Sequence, residues 1–593
     1  MNQTSNGVKI MPDIQLNKIR HSLSHIMAAA VGEIFPGVKF GIGPAIENGF
    51  YYDFDLPAKA SGEGGLSPEN LPKIEKRMKE LIKQNISFKR KLVSKAEAKK
   101  IFKNQPYKLE LLKDLPSKQI TVYQNGEFVD LCAGPHIKNT KEIDPEAFNL
   151  IKIAGAYWKG DEKNPMLTRI YGLAFETKKE LDGYISTIAE AQKRDHRRLG
   201  QDLDLFSIHE SMGGPGLIYW HPKAGRIRVI IEDFWRQAHY QNGYEIVFTP
   251  HIGKSTLWET SGHLDFYKEN MYSPMEIDEN EYYIKPMNCP FHILIYKNRI
   301  RSYRDLPMRW AELGTVYRYE KAGVLHGLLR VRGFTQDDAH LICTPEQMPF
   351  EIKKVLDFCF YILKSFGFND FHIYLSTKPK KKSVGSKKMW EEATLALEKT
   401  LKDSKLDYSV DEGGGAFYGP KIDIKIKDAL GREWQCSTIQ FDFNMPEKFK
   451  MEFVDKDGKT HRPYMIHRAL MGSLERFFGM LLEHYAGALP LWLSPVQAQI
   501  INIGAAHITY AQEINSQLSA NGIRVSLSDE NLTVSKRIRE AEIQKIPYVL
   551  VVGDKELQND TVNIRHYRRG QEGEIKLEKL LEQIKKEIAD KTI

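Results

Sequence analysis

Nine polar or ionisable side chains, Arg318, Glu320, His326, Arg330, Arg332, Gln336, Asp337, Asp338 and His340, fall within residues 314–340. Guanidinium groups and carboxylates this dense either form a solvated face or converge on a charged ligand, which a planar guanidinium grips through two oxygens at once. The alternation from Thr315 to Glu320 predicts a strand, 323–327 a loop and 328–334 a return strand. Val324-Leu325 and Leu328-Leu329 are the apolar runs that would seat this hairpin on a sheet.

Two further groupings carry chemistry. Leu16, Ile19, Leu23, Ile26, Met27 and Ala30 recur at helical spacing, and at 3.6 residues per turn His21 and His25 fall opposite that stripe, off the core. Downstream, Asp130, Cys132 and His136 in GEFVDLCAGPH stand at the end of an apparent strand. HxxxH followed by CxxxH fits a four-ligand zinc site, a hydrolytic pocket, or unrelated exposed histidines, and spacing does not separate these. Further on, 411–443 reads as two strands around an Ala-Leu-Gly-Arg turn. Residues 414–421 are not a Walker loop, since Pro420 precedes Lys421 and no Ser or Thr follows. Gln435 and Gln440 differ by five, so a bulge is needed if both are to face one site.

The elements that must position these groups belong to a chain of 593 residues, 42% hydrophobic and 27% charged, as in ordinary globular proteins. Its length suggests three to four domains on a prior of ~150 residues each. The net charge of +8 suits a polyanionic partner but is mild. No apolar run approaches the ~20 residues of a bilayer span, and the N-terminus has no signal-peptide core. Five scattered cysteines argue against a disulfide framework and for a reducing cytoplasm. From 491 onward strands and helices alternate, the pattern of an α/β unit.

The Arg-x-Glu strand, loop and return ending in Gln-Asp-Asp-Ala-His resembles motif 2 of the class II aminoacyl-tRNA synthetases, in the form used by threonyl-tRNA synthetases. The resemblance implies that Arg318, with Glu320, acts on the α-phosphate of ATP and the amino-acid carboxyl. HRALMGSLERFFGMLLEHY looks like motif 3, so Arg476 would meet the ATP phosphates from the other side. Arg330, Gln336, Asp338, Tyr418, Gln435 and Gln440 match ATP- or substrate-binding positions. Cys289, His340 and His467, far apart in sequence, match the family's ligands for one zinc per subunit, with the fourth position open. Residues 213–252 read as a helix followed by a strand and resemble motif 1, with Pro250 its proline and a homodimer implied.

RHSLSHIMAAAV and GEFVDLCAGPH look like the editing domain of bacterial threonyl-tRNA synthetases, which hydrolyses seryl-tRNA without a metal; a related domain of alanyl-tRNA synthetases binds zinc. That places His21, His25, Cys132, His136, Asp130 and Lys108 in an editing pocket. Asn531, Arg539, Glu556 and Arg565 match anticodon-reading positions. The implied partners are tRNA(Thr), L-threonine and ATP with Mg2+, in a cytoplasmic homodimer and not a membrane.

The expected class is multidomain α+β and α/β: a tail 1–13, an α+β editing domain 14–175, a basic linker helix 176–200, an antiparallel-sheet catalytic domain 201–490 and an α/β anticodon domain 491–593. Two departures from the family are the expected lack of a ubiquitin-like domain before the HxxxH helix, and Tyr319 and Lys321-Ala322 in place of a common Asn and Pro-Ser. A decayed RNA-binding regulator would have lost the arginines or zinc ligands, and prolyl-tRNA synthetases lack the complete trio and the VDLCAGPH pocket.

Overall fold

The computed structural model describes residues 14–56, 66–116, 119–380, 383–428, 430–528 and 531–592, so the tail 1–13 lies outside the described residues. The chain separates into two compact units, 1–190 and 191–593.

In the first unit the helix Ile14–Ile34 buries Leu23, Ile26, Met27 and Ala30 against Phe50, Phe54 and Ile170, as its apolar stripe requires. Those partners belong to an antiparallel sheet ordered Lys39–Phe40, Gly49–Asp55, Met166–Ala174, Phe148–Tyr157. A smaller sheet runs Phe88–Ser94, Gln119–Asn125, Phe128–Leu131. The expectation that His25 lies off the core is wrong. Its ring is 2% exposed, packed against Phe88 and Phe128, so the second sheet covers the face that periodicity had assigned to solvent. The expected single basic helix 176–200 is two, Lys178–Lys193 and His196–Asp202. Asp195 restarts the second by accepting the Arg197 N–H at 2.8 Å.

Among the described residues the second unit is built on an eight-stranded sheet. Its order is Glu245–Ile246, Met308–Tyr317, Gly333–Cys343, Tyr464–Ser473, Glu433–Asp442, Lys421–Lys427, Phe371–Ser376, Ser409–Asp411. Trp235, Ile352, Leu397 and Phe477, from the helices Pro222–Gln241, Met348–Ser365, Lys387–Asp403 and Leu474–His484, join its apolar core. The helix expected from 213 starts at Pro222, whose fixed φ and missing N–H suit a first helical position.

The charged hairpin is also shifted. Its strands are Met308–Tyr317 and Gly333–Cys343, so Arg318 and Glu320 stand just past the first strand and 328–332 is irregular. Leu328 and Leu329 are buried as expected, but as a plug in the connection, whereas Val324 is exposed.

The C-terminal part carries a second sheet: Val525–Leu527, Ala498–Asn502 and Tyr548–Val552 are parallel, and Thr561–His566 and Gly570–Lys576 extend it antiparallel. The last strand went unpredicted because GQEGEIK has no apolar alternation; it is a polar edge, which needs none. All five cysteines are free. Among the described residues no helix is long and apolar enough to cross a membrane.

Candidate functional site

Register assembles the first site. His340 is the cross-strand partner of His467, and His467 of Gln440, so three adjacent strands bring one row of polar groups to a common height. The His340 and His467 rings meet edge to face at 4.6 Å. Cys289 opens the helix Cys289–Lys297 and completes a buried trio whose donor atoms lie within 4.8 Å of one another.

Each histidine of the trio has one ring nitrogen engaged. His467 Nε2 is 2.9 Å from Asp442 Oδ2, and His340 Nδ1 is 2.8 Å from His292 Nδ1. His467 Nδ1 and His340 Nε2 therefore remain for the common centre. One thiol and two imidazoles with carboxylate support suit a borderline-soft cation such as zinc, and three protein ligands leave an open position. Burial, then Asp338 and Asp442, push the Cys289 thiol well above its ordinary value, and those negative charges are what a bound cation would neutralise.

The trio forms one wall of a cavity of about 340 Å³, also lined by Arg318, Gln336, Asp338, Tyr418, Thr438 and Gln440. Asp338 is buried and accepts from Asn288 Nδ2 at 3.1 Å. Asn288 can approach because residue 314 is glycine; a Cβ there would stand 2.4 Å from that amide. Arg318 is held by Pro286 O at 3.2 Å and by the ring of Phe334. Arg330 pairs with Glu320 at 2.9 Å, and Arg332 donates to the Glu320 carbonyl.

Arg476, in the first turn of Leu474–His484, donates to Leu329 O at 3.0 Å. Burial lowers its pKa, and Arg330 and Arg318 lower it further, a convergence of cations that calls for an anion. Cross-strand register skips Cys436 between the pairs Ile424↔Ser437 and Lys425↔Gln435, which is the bulge that the two glutamines require. Gln440 accepts from the Tyr418 hydroxyl inside the cavity. Gln435 shares that face, donating to Asp423 at 2.8 Å, but is not in the cavity wall.

The second site lies in the first unit, where His21, His25, Cys132 and His136 also place donor atoms within 4.8 Å. His21 Nδ1 is 3.2 Å from Pro135 O, which leaves Nε2 facing Cys132 Sγ at 3.4 Å. Ser22 gives its proton to Lys18 O, so His136 Nδ1 donates to Ser22 and its Nε2 faces the same sulfur at 3.3 Å. Burial lowers all three histidines and raises the Cys132 thiol to about 11, so the group is neutral. Behind it Lys108, buried, ion-pairs with Asp130, and Tyr52 links the two, accepting from Lys108 at 3.0 Å and donating to Asp130 at 2.6 Å.

In the C-terminal sheet, Arg539 is exposed on the helix Val534–Ile543, and Arg565 reaches Glu542 of that helix at 2.8 Å. Glu556 is buried and receives the Gly553 N–H at 3.0 Å; Asn531 is exposed in the turn before the helix. A third grouping, Asp195, His196 and Glu483, has no ring nitrogen to spare: His196 holds Glu483 through Nδ1 at 2.7 Å and the Leu328 N–H through Nε2 at 3.0 Å.

Sequence reasoning missed Tyr52, Glu312, Asp442 and His292. The last had a signal, a Cys-x-x-His spacing from Cys289 at a helix start. The others are single polar residues on strands, with nothing local to mark them.

Comparison with known proteins assigns domains along the chain. Residues 272–485 match the tRNA synthetase class II core domain (G, H, P, S and T), 497–587 an anticodon binding domain, and 120–171 the threonyl and alanyl tRNA synthetase second additional domain. A threonine–tRNA ligase of Borrelia turicatae is 53% identical over 580 residues, 98% of each chain. One from Sulfurihydrogenibium sp. is 53% identical over 98% of this chain and 89% of its own. The crystal structure titled as the RNA binding domain of threonyl-tRNA synthetase from Cryptosporidium parvum superposes with a TM-score of 0.63 at 41% identity, over 66% of this chain and 98% of that one.

Proposed function

The chain belongs to the threonine–tRNA ligase family, and on that premise we propose how its residues divide the work. As a member it joins threonine to tRNA at the expense of ATP and carries the domain associated with editing. The roles below are our reading of the geometry.

Arg318 and Arg476 grip the ATP phosphates and stabilise the charge that moves when threonine's carboxylate attacks the α-phosphorus and pyrophosphate leaves. Glu320 orients Arg330 at the rim, and Gln336, Asp338, Tyr418 and Gln440 line the bed for substrate. Gln435 acts from the side, by fixing Asp423. Magnesium enters with ATP. Cys289, His340 and His467 would hold one zinc per chain. When bound, that ion would supply a Lewis acid for the amino and hydroxyl groups of threonine, the second of which valine lacks.

Serine presents the same two groups and differs by one methyl, worth ~1 to 3 kcal/mol or ~10- to 200-fold. A second pocket must therefore act after transfer, and we assign it to His21, His25, Cys132 and His136 with Lys108 and Asp130. Neutral ring nitrogens there orient water, take its proton as it attacks the seryl carbonyl and return it to the tRNA ribose hydroxyl as the acyl C–O bond breaks, freeing serine, while the close packing around the cluster leaves no room for threonine's extra methyl. Asn531, Arg539, Glu556 and Arg565 face the anticodon, Glu556 through the backbone it caps.

The exposed Val229, Tyr240, Phe248 and Ile252, on and just after the helix Pro222–Gln241, support a homodimer, and the five scattered free cysteines suit a reducing cytoplasm. The five-part division at 13, 175, 200 and 490 belongs to the same proposal. The observation that carries the reading is the single cavity joining a buried Cys-His-His trio to Arg318. Threonine-dependent pyrophosphate exchange tests it. Arg318→Ala should fold normally and lose ~10²- to 10³-fold, the value of one such transition-state contact; exchange at the parental rate would refute the assignment.

A further inference from the structure

Behind the trio lies a buried chain of groups that no step above uses. His292 is fully buried on the helix Cys289–Lys297, one turn from Cys289, with its Nδ1 2.8 Å from His340 Nδ1 and its Nε2 3.1 Å from Glu312 Oε2. Glu312 is itself anchored. Its Oε1 accepts the Thr249 N–H at 2.7 Å, Oε2 accepts the Thr249 hydroxyl at 2.9 Å, and Lys285 stands 3.7 Å away. The Thr249 N–H, the Thr249 hydroxyl and the Lys285 ammonium all face it as donors or cation, the surroundings of an acceptor-only carboxylate.

The proton positions follow from these partners. A carboxylate only accepts, so His292 Nε2 carries a proton and donates it to Glu312. When that is the only proton His292 carries, its lone pair is on Nδ1. Two facing nitrogens at 2.8 Å share one proton, which must come from His340 Nδ1. That leaves the His340 lone pair on Nε2, the nitrogen turned to the trio's centre. Reversing the chain would put a proton on His340 Nε2 and close it to any cation.

We propose that His292 and Glu312 are positioning residues that set the tautomer of His340 and so make its Nε2 a metal ligand. The inference rests on the zinc reading of the trio. It differs from the wiring of His467, which is oriented by a carboxylate directly, through Asp442 at 2.9 Å. Here the carboxylate acts through a second imidazole, and it ties the ligand to Thr249, which precedes Pro250 at the end of the motif 1 segment.

Glu312→Gln is the sharpest test. If the new amide keeps its oxygen on the Thr249 N–H, its NH2 faces His292 Nε2 and donates, which drives the chain into the reversed tautomer at nearly constant volume. The full-length protein, stripped with chelator and reloaded with zinc, would be read for zinc stoichiometry by elemental analysis and for affinity by chelator competition at neutral pH. Glu312→Gln and His292→Leu should bind zinc ~10- to 100-fold more weakly, the usual cost of losing a ligand's outer partner. His292→Asn, which keeps an acceptor beside Cβ, should recover part of that loss. Thermal unfolding of the stripped proteins separates this from lost stability, since a purely structural role would move the unfolding temperature and not the affinity. Parental zinc affinity in both Glu312→Gln and His292→Leu overturns this inference alone. A parent that takes up no zinc, or a Cys289→Ala variant that takes up as much, overturns the zinc reading and this inference with it.

Discussion

The protein holds two clusters of the same residue types, Cys289 with His340 and His467 in one unit and Cys132 with His21, His25 and His136 in the other. Their thiols are alike, since burial raises both. Their histidines are alike too, each with one ring nitrogen turned inward, except that His25 Nδ1 is buried without a partner. The difference is the charge behind them. Asp338 and Asp442 lie against the trio, Asp442 bonded directly to His467, whereas behind the tetrad Asp130 is already paired with the buried Lys108. A divalent cation in the tetrad would face an ammonium. We therefore read one cluster as a cation site and the other as a neutral pocket that handles water.

The largest effect should come from Cys289→Ala. Zinc and threonine-dependent pyrophosphate exchange should both vanish, while hydrolysis of seryl-tRNA supplied from outside continues at the parental rate. Loss of hydrolysis as well would mean that the clusters do not have separate duties.

The converse variant, His21→Ala with Cys132→Ala, should leave threonylation intact. Serine should then reach tRNA at the ~1 in 10 to 200 that one methyl permits. Clearance of seryl-tRNA at the parental rate would remove the hydrolytic role from the tetrad.

A sharper form of the comparison uses Lys108→Met. Removing the ammonium strips Asp130 of its counter-ion, at a cost of about 3 to 5 kcal/mol, and leaves an uncompensated carboxylate behind the tetrad, as behind the trio. Elemental analysis should then find a second zinc per chain. A second zinc already present in the parent would break the distinction.

The smallest effect is on pH. Burial holds His21, His25 and His136 below their ordinary value of 6.5, so below pH 6.5 the unfolded chain takes up protons that the folded pocket refuses. Stability of the N-terminal unit should be fully present above that pH and decline as pH falls from it toward the lowered folded values. Deacylation, needing neutral imidazoles, should be level from pH 6.5 to about 8 once the spontaneous hydrolysis is subtracted. A rise across that range with a midpoint near 7 would show that the rings are less buried than the structure has them.

Residue types and local periodicity made much of this legible. The stripe on the first helix, the apolar helix after Gly472, the α/β alternation after 491 and the arginines of the charged hairpin all follow from spacing within one element. The need for a bulge between Gln435 and Gln440 was arithmetic, and the register skips one residue there. Failures came where a second element intervened. His25 is buried because Phe88 and Phe128 arrive from another sheet, and the strand Gly570–Lys576 exists because an edge accepted it.

The sequence by itself determined the class of the chain, because the motifs are local and their residue types are specific, and it offered the side chains to which we assign the chemistry. Which nitrogen of each histidine is free, which carboxylate is already paired, and where the sheet places the trio were decided only by tertiary structure. Asp442 reaches His467, and His292 reaches His340, through strand register and helix packing between segments distant in the chain. A hydrogen-bond partner that arrives from elsewhere leaves no period in the residues it meets.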